Sequence, residues 1–161
     1  MATTLPVPIE FSLPDGWLSA PPDEVGASQA AFVALHPGSS AGFTANITIS
    51  GEVRADDATL AQIADQAAAR LQRDIGAVEV GRRNELENAY TQVLRLTAPV
   101  GDRPVDLVQL QVFLAMADVR DERRRAVLQI VLSATPGQFE DLVGDFQAFL
   151  KTIRPDEGAT R

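Results

Sequence analysis

Apolar and polar residues alternate along several stretches of the chain and recur at helical spacing along two others. Phe43 to Ser50 sets Ala45, Ile47 and Ile49 on one side and Asn46, Thr48 and Ser50 on the other, the pattern of a strand with one buried face. The period then lengthens. Leu60, Ile63, Ala64, Ala67, Leu71 and Ile75 recur at three and four, with Asp57 available as a cap and Gly76 as a stop, which predicts a helix with an alanine-rich stripe. Four strand-like runs follow, Val78 to Arg83, Ala89 to Ala98, Val105 to Ala117 and Arg124 to Ala134, joined by connectors short enough for hairpins.

The closing element carries its own start signal. Thr135-Pro136-Gly137-Gln138 offers a capping hydroxyl, a proline at the first helical position and a glutamine placed to complete a capping box. Phe139, Leu142, Val143, Phe146, Phe149, Leu150 and Ile153 then form one apolar helical face, and Pro155 ends it. Gly144 inside this helix fits either a close backbone approach near Gly144 and Ala148 or a tolerated surface glycine. Ahead of these elements, Ile9 to Leu13 is apolar, Pro14-Asp15-Gly16 suits a tight turn, and Ala30 to Leu35 reads as a strand. The order predicts an α+β fold: a mainly antiparallel sheet of about six or seven strands flanked by two main helices. One domain over residues 1–155 with a polar tail at 156–161 is expected.

Composition removes most chemistry. The 161 residues include no cysteine and one histidine, so disulfides, thiolate metal sites and a cysteine nucleophile are excluded, and His36 has no second imidazole to share a metal with. No cofactor or metal is expected. A net charge of −8 argues against nucleic acid, which is bound through clustered cations. No apolar run reaches the length of a membrane span, and Met1 to Glu10 has neither a basic nor an apolar leader region, so no membrane insertion and a cytoplasmic location are expected.

Gly38-Ser39-Ser40-Ala41-Gly42 matches the G-x-S-x-G of serine hydrolases, yet the elbow needs a helix after the serine and a histidine later in the chain. Here a strand follows and His36 precedes, so Ser40 with His36 as a hydrolase is the unfavoured alternative, and the chain reads as no enzyme. Asp56-Asp57 and Asp141 with Asp145 read as capping or solvated carboxylates. Arg120, Arg123, Arg124 and Arg125, interleaved with Asp121 and Glu122, fit a hairpin tip or a patch gripping an acidic partner.

The sheet faces differ more instructively. One is aliphatic, with Val108, Leu110, Val112, Leu114, Leu128, Ile130 and Leu132. The other mixes Gln109, Gln111, Phe113, Val127, Gln129 and Val131, with Val93 and Arg95 assigned to it from the preceding strand. Buried amides need partners, so this face reads as a half-covered groove or as plain solvent surface. As a groove, Val93, Arg95, Gln109, Gln111, Phe113 and Gln129 would hold a peptide or an apolar helix.

Phe11-Ser12-Leu13-Pro14-Asp15-Gly16-Trp17, the strand Thr44 to Ser50, the helix Leu60 to Leu71, the strands Leu107 to Met116 and Val127 to Ala134, and the closing Phe139 to Ile153 resemble small bacterial domains of the DcrB and LpqN type, in the PsbP-like α/β/α sandwich group. The resemblance implies a non-enzymatic domain. Its Eag-chaperone relatives in type VI secretion cradle apolar helices of effectors on the sheet, often as dimers, so a protein partner such as a secretion-system effector and a homodimer are implied. LpqN-type relatives are mostly envelope lipoproteins, from which this chain departs in lacking a cysteine. A chaperone-like adaptor is thus the first reading of function, and a structural subunit of a larger assembly the alternative.

Overall fold

The computed structural model describes residues 9–22, 30–38, 43–100, 102–117 and 125–155. Ser40, Arg120, Arg123, Arg124 and the tail at 156–161 lie outside them. The elements run β1 (Ile9–Glu10), β2 (Leu18–Ala20), β3 (Phe32–Leu35), β4 (Asn46–Arg54), α1 (Leu60–Ile75), β5 (Val78–Leu86), β6 (Ala89–Val100), β7 (Arg103–Ala117), β8 (Arg125–Ala134), α2 (Pro136–Thr152) and β9 (Arg154–Pro155). Seven strands form one sheet in the order β2-β3-β4-β8-β7-β6-β5, every neighbouring pair antiparallel, while β1 pairs with β9. The mainly antiparallel α+β layout expected from the pattern is the one observed.

Each helix lies on its own face of the sheet. Leu142, Phe146 and Phe149 of α2 are buried against the aliphatic side, where Ile47, Ile49, Val112, Leu128, Ile130 and Leu132 meet them. Phe11 adds an edge-on ring 5.4 Å from Phe149, and Trp17 joins the same cluster while its Nε1 donates to Asp145 Oδ2 at 3.2 Å. Asp145 is therefore half-buried and bonded, not merely solvated as its place on the helix suggested. On the opposite face, Ile63 and Ala64 of α1 pack on Tyr90, Phe113 and Val127, and Ala68 packs on Leu94, Leu96 and Leu107. The alanine stripe lets α1 approach β6 closely.

Both helices start with reciprocal capping boxes. Thr135 and Gln138 form the expected one, and Gln138 Nε2 also donates to the Phe43 carbonyl at 2.8 Å. At α1 the cap is Thr59, not Asp57: Thr59 Oγ1 accepts from the Gln62 backbone at 3.1 Å and Gln62 Oε1 accepts from the Thr59 backbone at 2.9 Å. Only Thr59 has a glutamine three residues on, so it satisfies two orphan N–H groups where Asp57 could serve one. Gly76 closes α1 with φ of 94°, a conformation that favours glycine.

Gly144 is exposed and a Cβ added there meets nothing within 4 Å. The surface reading holds and the close approach does not. Gly144→Ala is therefore expected to raise stability by roughly 0.5–1 kcal/mol, the helix-propensity difference, with a matching rise in the urea midpoint. A loss of stability would mean that the position is contacted after all.

Candidate functional site

The two helices cover different halves of the sheet. α1 sits over β5, β6 and β7, so on its face β4 and most of β8 are left beside it. That offset produces a groove of about 510 Å³, floored by Thr48, Ser50, Val127, Gln129 and Val131 and walled by Ile63, Ala67 and Leu71 of α1. Gln109, Gln111, Phe113 and Ser133 line its inner side, and Arg70, Asp74 and Glu52 stand at the rim.

Interstrand register decides which of the expected site residues meet. Phe113 pairs with Gln129, Gln111 with Val131 and Gln109 with Ser133, so Gln109, Gln111, Phe113 and Gln129 share the groove face. Val93 and Arg95 do not. They pair with Leu110 and Val108, which places them on the opposite, aliphatic face, and the residues of β6 that face the groove layer are Tyr90, Gln92, Leu94 and Leu96. Alternation fixes two faces within a strand, but a shift of one residue in pairing exchanges them. Gln92 was the signal available in the sequence, since it continues the mixed composition of Gln109 and Gln111.

The glutamines are not mainly a solvent-facing row. Gln92 is fully buried and Gln111 is 3% exposed. Gln92 Oε1 accepts from Arg83 Nε and Nη2 at 3.1 and 3.0 Å, and Gln92 Nε2 donates to the Ala64 carbonyl of α1 at 3.0 Å and to Gln111 Oε1 at 2.8 Å. Gln111 Nε2 donates to Gln109 Oε1 at 3.1 Å, and Gln109 Nε2 donates to Ser133 Oγ at 3.2 Å. Arg83 is held in turn by Asp65 of α1 at 2.7 Å. Buried amides are tolerated because they satisfy one another. Thr48, Ser50 and Gln129, by contrast, make no side-chain hydrogen bond among the described residues, so their polar groups are available to an occupant.

At one end of the groove Arg54 joins β4 to the start of α1. It donates from Nη2 to Asp56 Oδ2 at 2.7 Å and from Nη1 to Glu52 Oε1 at 2.9 Å. These bonds raise the Arg54 pKa, Asp56 contributing most, and hold the exposed Asp56 carboxyl below the usual carboxylate range. Arg125, expected in a solvent-facing cluster, lies on β8 and donates from Nη2 to the Ala58 carbonyl just ahead of α1. It braces the helix entry.

His36 follows β3, donates its backbone N–H to the Ala45 carbonyl at 2.9 Å and sets its ring 5.0 Å from Trp17. The chain continues into β4, which pairs antiparallel with β3, so the strand-turn-helix context of a nucleophile elbow is not met there. Among the described residues no three His, Cys, Asp or Glu side chains converge as metal ligands, and no helix is long and apolar enough to cross a membrane.

A seven-stranded antiparallel sheet with one helix on each face defines the PsbP-like, LpqN-like class of α+β fold, and this chain adopts it. No family model matches the sequence, and no curated protein matches it. Solved structures do. LpqN of Mycobacterium tuberculosis, involved in cell envelope biogenesis, aligns over 93% of this chain and 86% of its own with a TM-score of 0.62 and 16% identity. PA94 of Pseudomonas aeruginosa, a protein of unknown function, aligns over 76% of this chain and 81% of its own at TM-score 0.58 and 18% identity. Cyanobacterial PsbP of Synechocystis sp. PCC 6803 aligns over 91% and 86% at TM-score 0.54 and 14% identity. At these identities the likeness is one of fold.

Proposed function

We propose that the chain is a non-catalytic protein-binding module, a chaperone-like adaptor that holds a short peptide segment in the groove beside α1. The observation that carries this reading is the groove itself: unpartnered Thr48, Ser50 and Gln129 lie among apolar Val127 and Val131 on the floor of a groove of about 510 Å³, within the usual range of ligand sites. Peptides need such a surface, because each residue brings both an apolar side chain and a polar backbone. The α1 wall from Ile63 to Asp74 spans roughly 16 Å at 1.5 Å per residue, which accommodates about five extended residues. Binding without chemistry fits a site whose polar groups are hydroxyls and amides.

A photocrosslinking amino acid at position 129, with a control at the exposed Glu140 of α2, tests the reading in the native cell. Position 129 is expected to form adducts mapping to one short segment of a partner polypeptide. Position 140 is expected to form none of these, and Ser50→Trp, which fills the groove, should abolish them. Equal adducts at both positions, or adducts unaffected by Ser50→Trp in a folded protein, would reject the groove as the binding site.

A further inference from the structure

Among the described residues, four glutamines of the sheet stand on its α1 side, and three of them are bonded to one another. Gln92 Nε2 donates to Gln111 Oε1 at 2.8 Å, and Gln111 Nε2 donates to Gln109 Oε1 at 3.1 Å. The fourth, Gln129, is different. It is half-buried, pairs with Ser50 on one side and Phe113 on the other, and its carboxamide makes no hydrogen bond among the described residues. An amide so placed needs a partner as soon as an occupant excludes water from it.

The α1 wall shapes what can reach that amide. Ile63, Ala67 and Leu71 line the groove and recur every four residues, about 6 Å apart at 1.5 Å per residue. The middle one is small, so the wall opens a notch between two large side chains. Ala67 packs on the cluster that holds Phe113 and Val127, which flank Gln129 across and along the sheet, and this sets the notch beside the unpaired amide. A main chain running along α1 is held off the floor by Ile63 and Leu71. One side chain can pass between them.

Chemistry narrows that side chain. The charged residues Arg70, Asp74 and Glu52 stand at the rim, so a charged tip on the floor would be desolvated without a counter-charge. An aliphatic tip would leave Gln129 and Ser50 without partners. A hydroxyl meets one group of a carboxamide at a time, whereas a second carboxamide matches its donor to the acceptor and its acceptor to the donor. Gln92 and Gln111 already bond amide to amide on this face. We propose that Gln129 is the specificity-determining residue of the groove, selecting a peptide that carries an asparagine or glutamine side chain and inserts it at the Ala67 notch. This inference rests on the reading of the groove as a peptide site.

Blocked random heptapeptides are selected on the immobilised protein, and a peptide is kept only if the Ser50→Trp protein fails to retain it. The kept peptides are expected to converge on asparagine or glutamine at one position. Replacing that residue of the tightest peptide by leucine or glutamate should weaken binding about ten-fold, the scale of one to two net hydrogen bonds. These changes leave the protein untouched, so no folding defect can imitate them. Gln129→Ala should weaken the parent peptide by a similar factor and should not weaken the leucine-substituted one, whose amide pair is already gone. Ala67→Leu, which fills the notch, should weaken the parent peptide yet spare one with glycine at that position.

Kept peptides that share no carboxamide, or a Gln129→Ala loss equal for the parent and leucine peptides, would overturn the amide selection and leave the groove reading standing. If no peptide passes the Ser50→Trp criterion, the groove reading falls and takes this inference with it.

Discussion

Phe146→Ala is expected to lower the unfolding free energy by about 3–5 kcal/mol, a large share of the roughly 5–15 kcal/mol typical of a domain. Phe146 is fully buried and sits in the cluster that joins α2 to Val112, Leu128, Ile130 and Leu132 of the sheet. Its ring lies 6.5 Å from that of Phe149, which in turn meets Phe11. Truncation removes the transfer free energy of the ring and leaves a cavity that α2 cannot close, because Leu142 and Phe149 on either side hold the helix at its present height. The N-terminal segment loses support as well, since Phe11 and Trp17 pack into the same cluster. Urea unfolding with an unchanged slope and a reduced midpoint is the expected record. A loss below about 1 kcal/mol would show that α2 contributes little to the core.

Much of this core was legible from spacing alone. The α2 start was written in Thr135, Pro136 and Gln138, and its buried face in Leu142, Phe146 and Phe149, because a capping box and a helical period are local properties. Strands β3 to β8 were legible because alternation is local too, whereas the two- and three-residue β1, β2 and β9 carry too few positions to show it. At α1 the expected cap, Asp57, is not the one used: Thr59 caps the helix because Gln62 stands three residues after it and completes the box.

The site was less legible because it depends on register and on where α1 lands. Gln109, Gln111, Phe113 and Gln129 were grouped correctly, since β7 and β8 are both long and alternate in phase. Val93 and Arg95 were placed on the wrong face because nothing within β6 fixes its pairing with β7. The groove exists because α1 covers β5 to β7 and stops short of β4, a tertiary fact with no local signature. The hydrogen bonds that link Gln92 through Gln111 and Gln109 to Ser133 cross from β6 to β8, a connection no local pattern shows.

Gln92→Leu is expected to destabilise the protein by about 2–4 kcal/mol even though it exchanges an amide for an apolar side chain of similar size in a fully buried position. Size is not the issue, so no cavity arises. What is lost is the pivot of the buried hydrogen-bond network: Gln111 Oε1, on a side chain only 3% exposed, loses its donor, and the Arg83 guanidinium keeps only the exposed Asp65. An orphaned buried acceptor costs about 1–3 kcal/mol, and α1 loses the tie to its Ala64 carbonyl as well. The double variant Gln92→Leu with Gln111→Leu removes the orphan together with its partner, so it should cost less than the two single changes added together. Chemical denaturation of the four proteins in a double-mutant cycle measures that coupling, expected at about 1–2 kcal/mol. Additivity within about 0.5 kcal/mol would mean that the two amides act independently. A coupled pair means that the polar layer, although buried, is built as one unit from the edge strand to the groove.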